Sequence, residues 1–298
     1  MALVVSLSGC VAVAQLVTKP ADAPTPTPAR SQATSPPPSS AAPTPSPTKA
    51  GLTIPQARQA VRAWVGKYNA TLKKRKWWQK DALLDALFVE AALHEGVLEA
   101  NHETFGTKPG HKPINLTGTP TIYLVRPEKQ PSTADWFIAQ ATYKDTKGYA
   151  RPHVLAFHRS AGQSFRLAVA TPIHWGRRMP RPRLDADGYI TDMNDTVARA
   201  VAKEYQNFWN NEKKEGASGY RLAKNSFSRK AFPAVYKGLY VSFADHGSLF
   251  GFRTADGGMF FLFGMVNNDK SLNQVLSEAL LVPKGSKTIQ ELGANWFS

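Results

Sequence analysis

The segment Lys73-Lys74-Arg75-Lys76-Trp77-Trp78-Gln79-Lys80 sets four consecutive cations beside two indoles. That composition suits contact with phosphate chains or with a membrane interface. On a helix each step turns by about 100°, so four neighbours cannot share one buried stripe and most must face water. Lys73, Lys74, Arg75, Lys76 and Lys80 are therefore candidate polyanion contacts. One indole is expected in the core and the other near the surface. The same residues also fit a simpler arrangement, a solvated helix end over packed Trp77 and Trp78. A second basic stretch is Arg177-Arg178-Met179-Pro180-Arg181-Pro182-Arg183, and the 298-residue chain carries 37 Lys+Arg against 22 Asp+Glu, a net charge of +15.

Other chemistries find less support. Gly247-Ser248-Leu249-Phe250-Gly251 puts serine beside the first glycine and makes no nucleophile elbow. No glycine-rich phosphate loop followed by Lys-Ser/Thr is present. The seven histidines include no H-x-H or H-x-x-x-H pair. His94 and His102 are eight apart on one expected helix, and His153 and His158 five apart on one expected strand, so neither pair can share an ion. No metal, cofactor or catalytic residue is expected. A lone cysteine, Cys10, excludes a disulfide within the chain and a Cys-ligated zinc or iron–sulfur site.

Residues 1–18 hold no charged side chain, are mostly apolar and are marginal in length for a bilayer span. They read as an export leader. Within them Leu7-Ser8-Gly9-Cys10 resembles the lipobox of bacterial lipoproteins, which implies cleavage before Cys10 and a lipid on its thiol. Only nine residues precede Cys10, none of them Lys or Arg, so the leader is expected to start upstream of Met1. Cleavage after Ala12-Val13-Ala14 is the alternative and would give a secreted protein. Residues 19–50 carry 10 of the 22 prolines among Ser, Thr and Ala, and are expected to form a disordered linker. At about 3.1 Å per residue such a spacer reaches up to ~100 Å. The expected location is the outer face of the plasma membrane. There, anionic envelope polymers and phospholipid headgroups are the polyanions at hand, and nucleic acid is not an expected partner.

The linker's Lys19, Arg30 and Lys49 against Asp22 take +2 of the +15, leaving +13 for residues 51–298. Thr53-Ile54-Pro55-Gln56 reads as a capping box opening a helix with apolar positions Ile54, Ala57, Val61, Trp64, Tyr68 and Leu72. A second helix is expected from Asp81 through Leu84, Leu87, Phe88, Ala91 and Leu98. Strands follow at Thr121–Val125, Trp136–Tyr143, His153–His158 and Phe165–Thr171, the last two joined at Ser160-Ala161-Gly162-Gln163. The pattern then restarts with a helix capped near Asp195, carrying Val197, Val201, Tyr205 and Phe208. Strands are expected at Leu239–Ala244, Leu249–Arg253, Met259–Val266, Leu276–Val282 and Thr288–Phe297, with a hairpin turn at Asp256-Gly257-Gly258.

Helices followed by an antiparallel sheet, twice over, predict an α+β fold of two consecutive units, 51–180 and 181–298. Each unit resembles the cone-shaped nuclear transport factor 2-like (cystatin-like) fold. The whole chain resembles an uncharacterised family of actinobacterial lipoproteins, through Leu52-Thr53-Ile54-Pro55-Gln56-Ala57, Trp136-Phe137-Ile138-Ala139, His153–Arg159 and Arg253–Gly258. The resemblance implies a fold and a location but no activity. Enzymes of the cone fold carry an Asp, Tyr or His inside the cone. Asp135, Tyr143, His158 and Asp245 are the residues placed to do so here. The expected function is thus a lipid-anchored extracytoplasmic binding or scaffolding module, with a small-molecule enzyme or ligand carrier using a cone pocket as the alternative.

Overall fold

The computed structural model describes residues 51–104, 112–144, 148–210, 215–235, 242–245, 247–267 and 274–297. Cys10 and the Pro-rich segment lie outside the described residues. Thr53 opens helix α1 (Ile54–Leu72) with the expected capping box: Gln56 N donates to Thr53 Oγ1 at 3.4 Å, and Thr53 N donates to Gln56 Oε1 at 2.9 Å. Ala57, Val61, Trp64, Val65 and Tyr68 form its buried face.

The single helix expected from Asp81 is instead two, α2 (Asp81–Asp85) and α3 (Glu90–Thr104). Between them the backbone leaves the helix to pair with a strand. Leu167 N donates to Leu87 O at 3.0 Å, and Val89 N donates to Leu167 O at 2.9 Å. Glu90 then turns at φ 57, a left-handed conformation that breaks helical continuity.

Strands β1 (Leu116–Leu124), β2 (Ala134–Lys144), β3 (Ala150–Ser160) and β4 (Arg166–Pro172) form an antiparallel sheet in that order. The β3–β4 turn is where the sequence places it, with Gly162 at φ 75. Helix α4 (Asp195–Trp209) begins at Asn194, whose Oδ1 accepts from Val197 N. The second sheet comprises β5 (Arg221–Leu222), β6 (Phe243–Asp245), β7 (Phe250–Arg253), β8 (Met259–Asn267), β9 (Val275–Val282) and β10 (Thr288–Phe297). Helix α5 (Phe227–Val235) lies between β5 and β6 in the chain. The order is β5-β10-β9-β8-β6, with β7 on the same β8 strand; all pairs are antiparallel except β5–β10.

Side-chain alternation assigns each strand face to a layer. Phe137, Ala139, Leu155 and Phe157 pack beneath α1. Their neighbours Ile138, Val154 and Ala156 point the other way, onto Phe260, Leu262 and Ala279 of the second sheet. The opposite face of that sheet, with Phe261, Phe263, Leu276 and Leu280, is covered by Val201, Tyr205 and Trp209 of α4. The result is helix, sheet, sheet, helix. Strands buried on both faces explain the near-continuous apolar runs at 154–157 and 260–266. Gly264 is required where α3 meets β8, since a Cβ there would lie 2.1 Å from the Ala91 Cβ.

Candidate functional site

Helix α1 stops at Leu72, so the basic segment is a turn and not the helix end that the spacing predicts. Lys73 caps the helix, and Lys76 adopts φ 52, ψ 40 before a short 3-10 turn at Trp77–Gln79. The left-handed step reverses the chain. Trp77 drops into the core at 3% exposure, while Trp78 lies half-buried edge-on to it, 6.1 Å between ring centroids. Lys73, Lys74, Arg75, Lys76 and Lys80 are all exposed, and none is in an ion pair among the described residues. The turn thus achieves the outward display that sequence reasoning assigned to helical rotation.

Arg177, Arg178, Arg181 and Arg183 are exposed as well. Their segment is held against β7: Arg183 N donates to Arg253 O at 2.7 Å, and Ala255 N donates to Arg181 O at 2.8 Å.

Of the residues named as possible cone-lining groups, Asp135, Tyr143 and His158 do not converge. Asp135 Oδ2 accepts from Arg159 Nε at 2.9 Å. Tyr143 stacks on His153 at 3.7 Å, and burial, with Glu95 adding to it, pushes its hydroxyl well above the usual range. Asp135 and Tyr143 are eight residues apart on β2, about 27 Å along an extended strand. His158 Nδ1 lies 4.0 Å from Glu90 Oε1. Glu90 in turn accepts from Ser248 N at 2.8 Å and Ser248 Oγ at 3.1 Å, a bridge from α3 to the second sheet. Asp245 belongs to β6, in the other sheet; its side chain lies outside the described residues, as does that of His102. Among the described residues no group of three or more His, Cys, Asp or Glu could hold a metal ion.

A polar cluster that sequence reasoning missed sits between the second sheet and α4. Glu291 Oε2 accepts from Tyr205 Oη at 2.5 Å and from Ser228 N at 3.1 Å, and Oε1 lies 3.0 Å from His174 Nε2. Burial pushes the Glu291 carboxyl up, but the bonds from His174, Tyr205 and Ser228 outweigh it and hold it below its ordinary range. Glu278 is fully buried on the adjacent strand, and neither of its oxygens has a hydrogen-bond partner among the described residues. Desolvation, reinforced by the Glu291 charge and opposed more weakly by the nearby Tyr205 hydroxyl, raises it well above the ordinary carboxyl range and so favours its neutral form. Burial first, then the two carboxyls, raise Tyr205 too. The two carboxyls are thus pushed in opposite directions, Glu278 up and Glu291 down, with His174 as the partly exposed link to the surface. The sequence signal was present: Glu278 is the lone charge in the run Val275–Val282 and takes an inward-alternating position.

An open groove of about 660 Å³ runs along α1 against the β3–β4 turn, with Gln59, Trp64, Lys67, Arg159 and Phe165 among its walls. Among the described residues no helix is long and apolar enough to cross a membrane.

Comparison with known proteins adds a family. A family model described as a domain of unknown function, DUF8094, matches residues 52–288. No curated protein matches the chain. No solved structure matches it either. The family match runs from the start of α1 to the first residue of β10, four-fifths of the 298 residues, and the chain therefore belongs to the DUF8094 family.

Proposed function

We propose that the chain is a lipid-anchored, extracytoplasmic binding or scaffolding module of the cell envelope. Its anchor is Cys10, its reach comes from residues 19–50, and its body comprises two units of the nuclear transport factor 2-like kind, as in actinobacterial lipoproteins. Through Lys73, Lys74, Arg75, Lys76 and Lys80 it contacts anionic envelope polymers or phospholipid headgroups. The supporting observation is the turn that displays four successive cations to water with no ion pair among the described residues, backed by the buried Trp77. Mutual repulsion in such a turn is offset when an anionic partner is bound.

Cys10 carries the location. Expressed in its native host, the Cys10→Ser variant should move from the membrane fraction to the medium. Unchanged fractionation would remove the anchor from the proposal.

A further inference from the structure

The groove along α1 has a chemistry of its own. Gln56, Gln59, Lys67 and Trp64 follow one another at helical spacing on one side, and Arg159, Gln163 and Phe165 face them from the β3–β4 turn. Its volume, about 660 Å³, falls in the range of small-ligand sites. No lining residue is acidic.

The free hydrogen-bonding capacity is dominated by donors. Gln56 uses its carbonyl oxygen on the Thr53 cap, and Gln163 uses its own on Arg166 at 3.2 Å, which leaves both amide nitrogens available among the described residues. Gln59 is exposed at the rim. Lys67 Nζ donates one proton to Ala86 O at 2.8 Å, leaving two of its three. Arg159 binds Asp135 through Nε and Nη2 and lies over the Phe165 ring at 4.4 Å, with Nη1 outside that pair. Asp135 balances the guanidinium, so among the described residues Lys67 supplies one positive charge in no ion pair. Trp64 and Phe165 give an apolar floor beneath this rim of donors.

We propose that this groove binds a saccharide ring bearing a single anionic substituent. The C–H face of a sugar meets the apolar floor, its hydroxyls accept from the amide nitrogens, and its carboxylate or phosphate pairs with Lys67. The inference does not rest on the Lys73–Lys80 contact and survives or fails separately from it.

The experiment is calorimetric or ligand-observed titration of the full chain with three probes. These are the N-acetylglucosamine–N-acetylmuramic acid disaccharide, which carries one carboxylate, the neutral disaccharide diacetylchitobiose, and lactate. The carboxylated disaccharide should bind about tenfold tighter than the neutral one, the worth of one charge-assisted hydrogen bond. Lactate should bind far more weakly than either. Lys67→Gln should erase the difference between the two sugars, and Gln59→Ala should weaken both. Both side chains are exposed, and unchanged melting temperatures would confirm that the variants fold. A chain with Lys73, Lys74, Arg75 and Lys76 changed to Gln should bind all three probes as the parent does. Absence of saccharide binding, equal affinity for the two disaccharides, lactate binding as tight as the sugars, or a Lys67→Gln variant that keeps the preference would each overturn the proposal.

Discussion

Glu291→Ala should destabilise the protein by about 3–5 kcal/mol, the cost of removing one member of a buried charged network. The substitution strips the acceptor from Tyr205 Oη, Ser228 N and His174 Nε2 at once. Ser228 N, left buried and unpaired, costs about 1–3 kcal/mol on its own, whereas Tyr205 Oη keeps Ser228 Oγ at 3.0 Å and the partly exposed His174 can turn to water. Glu291→Gln should lose less, because its amide oxygen still accepts from Tyr205 and Ser228, and His174 can change tautomer to accept from the new NH₂. Urea denaturation of the two variants with an unchanged m-value would establish that order. A Glu291→Ala variant within about 1 kcal/mol of the parent would mean that the network carries no stability.

Glu278 gives the second large effect, and it depends on pH. Its folded-state carboxyl is raised by desolvation and by Glu291, whereas in the unfolded chain it titrates near the ordinary value of about 4.3. Above that pH the unfolded state has lost a proton that the folded state keeps. Its contribution is therefore complete at acid pH and is lost as pH rises toward and through the folded pKa, at about 1.4 kcal/mol per pH unit. Glu278→Gln removes this dependence. Its amide brings a fixed packing and hydrogen-bonding cost, so the informative quantity is the change in the difference with pH, not the difference at one pH. Relative to the parent, the variant should gain stability as pH rises above the unfolded-chain value toward the raised folded-state value. A difference that does not change with pH above the unfolded-chain value would show that the folded-state carboxyl is not raised. Glu291 works in the opposite sense, with stability present above its unfolded value and lost on acidification through its lowered folded value.

The local signals were the legible ones. The Thr53–Gln56 box, the Gly162 turn and the Asp256-Gly257-Gly258 hairpin depend on side chains and φ angles within a few residues, and each stands where the sequence puts it. Helix α3 was misjoined to α2 because the break depends on Leu167, some eighty residues away, bonding to Leu87 and Val89. No local periodicity records that competitor. Apolar alternation marked the strands, but a strand buried on both faces carries no mark of which face meets a helix and which meets the other sheet. The basic turn was found by composition and given the wrong local geometry, since Lys76 in a left-handed conformation has no propensity signal. The Glu278–Glu291 cluster was missed although a charge inside an apolar strand is a readable anomaly.

The most direct test of the binding reading is a salt series of the purified chain against anionic phospholipid vesicles and a glycerol-phosphate polymer. Contact through several phosphates should weaken steeply with added salt, as the Debye length shrinks from ~10 Å at 0.1 M toward ~3 Å at 1 M. Changing Lys73, Lys74, Arg75 and Lys76 together to Gln should remove most of the affinity and flatten the salt dependence, while the fold holds because all four side chains are exposed. Salt-insensitive binding, no binding at all, or equal binding by the neutralised variant would contradict it.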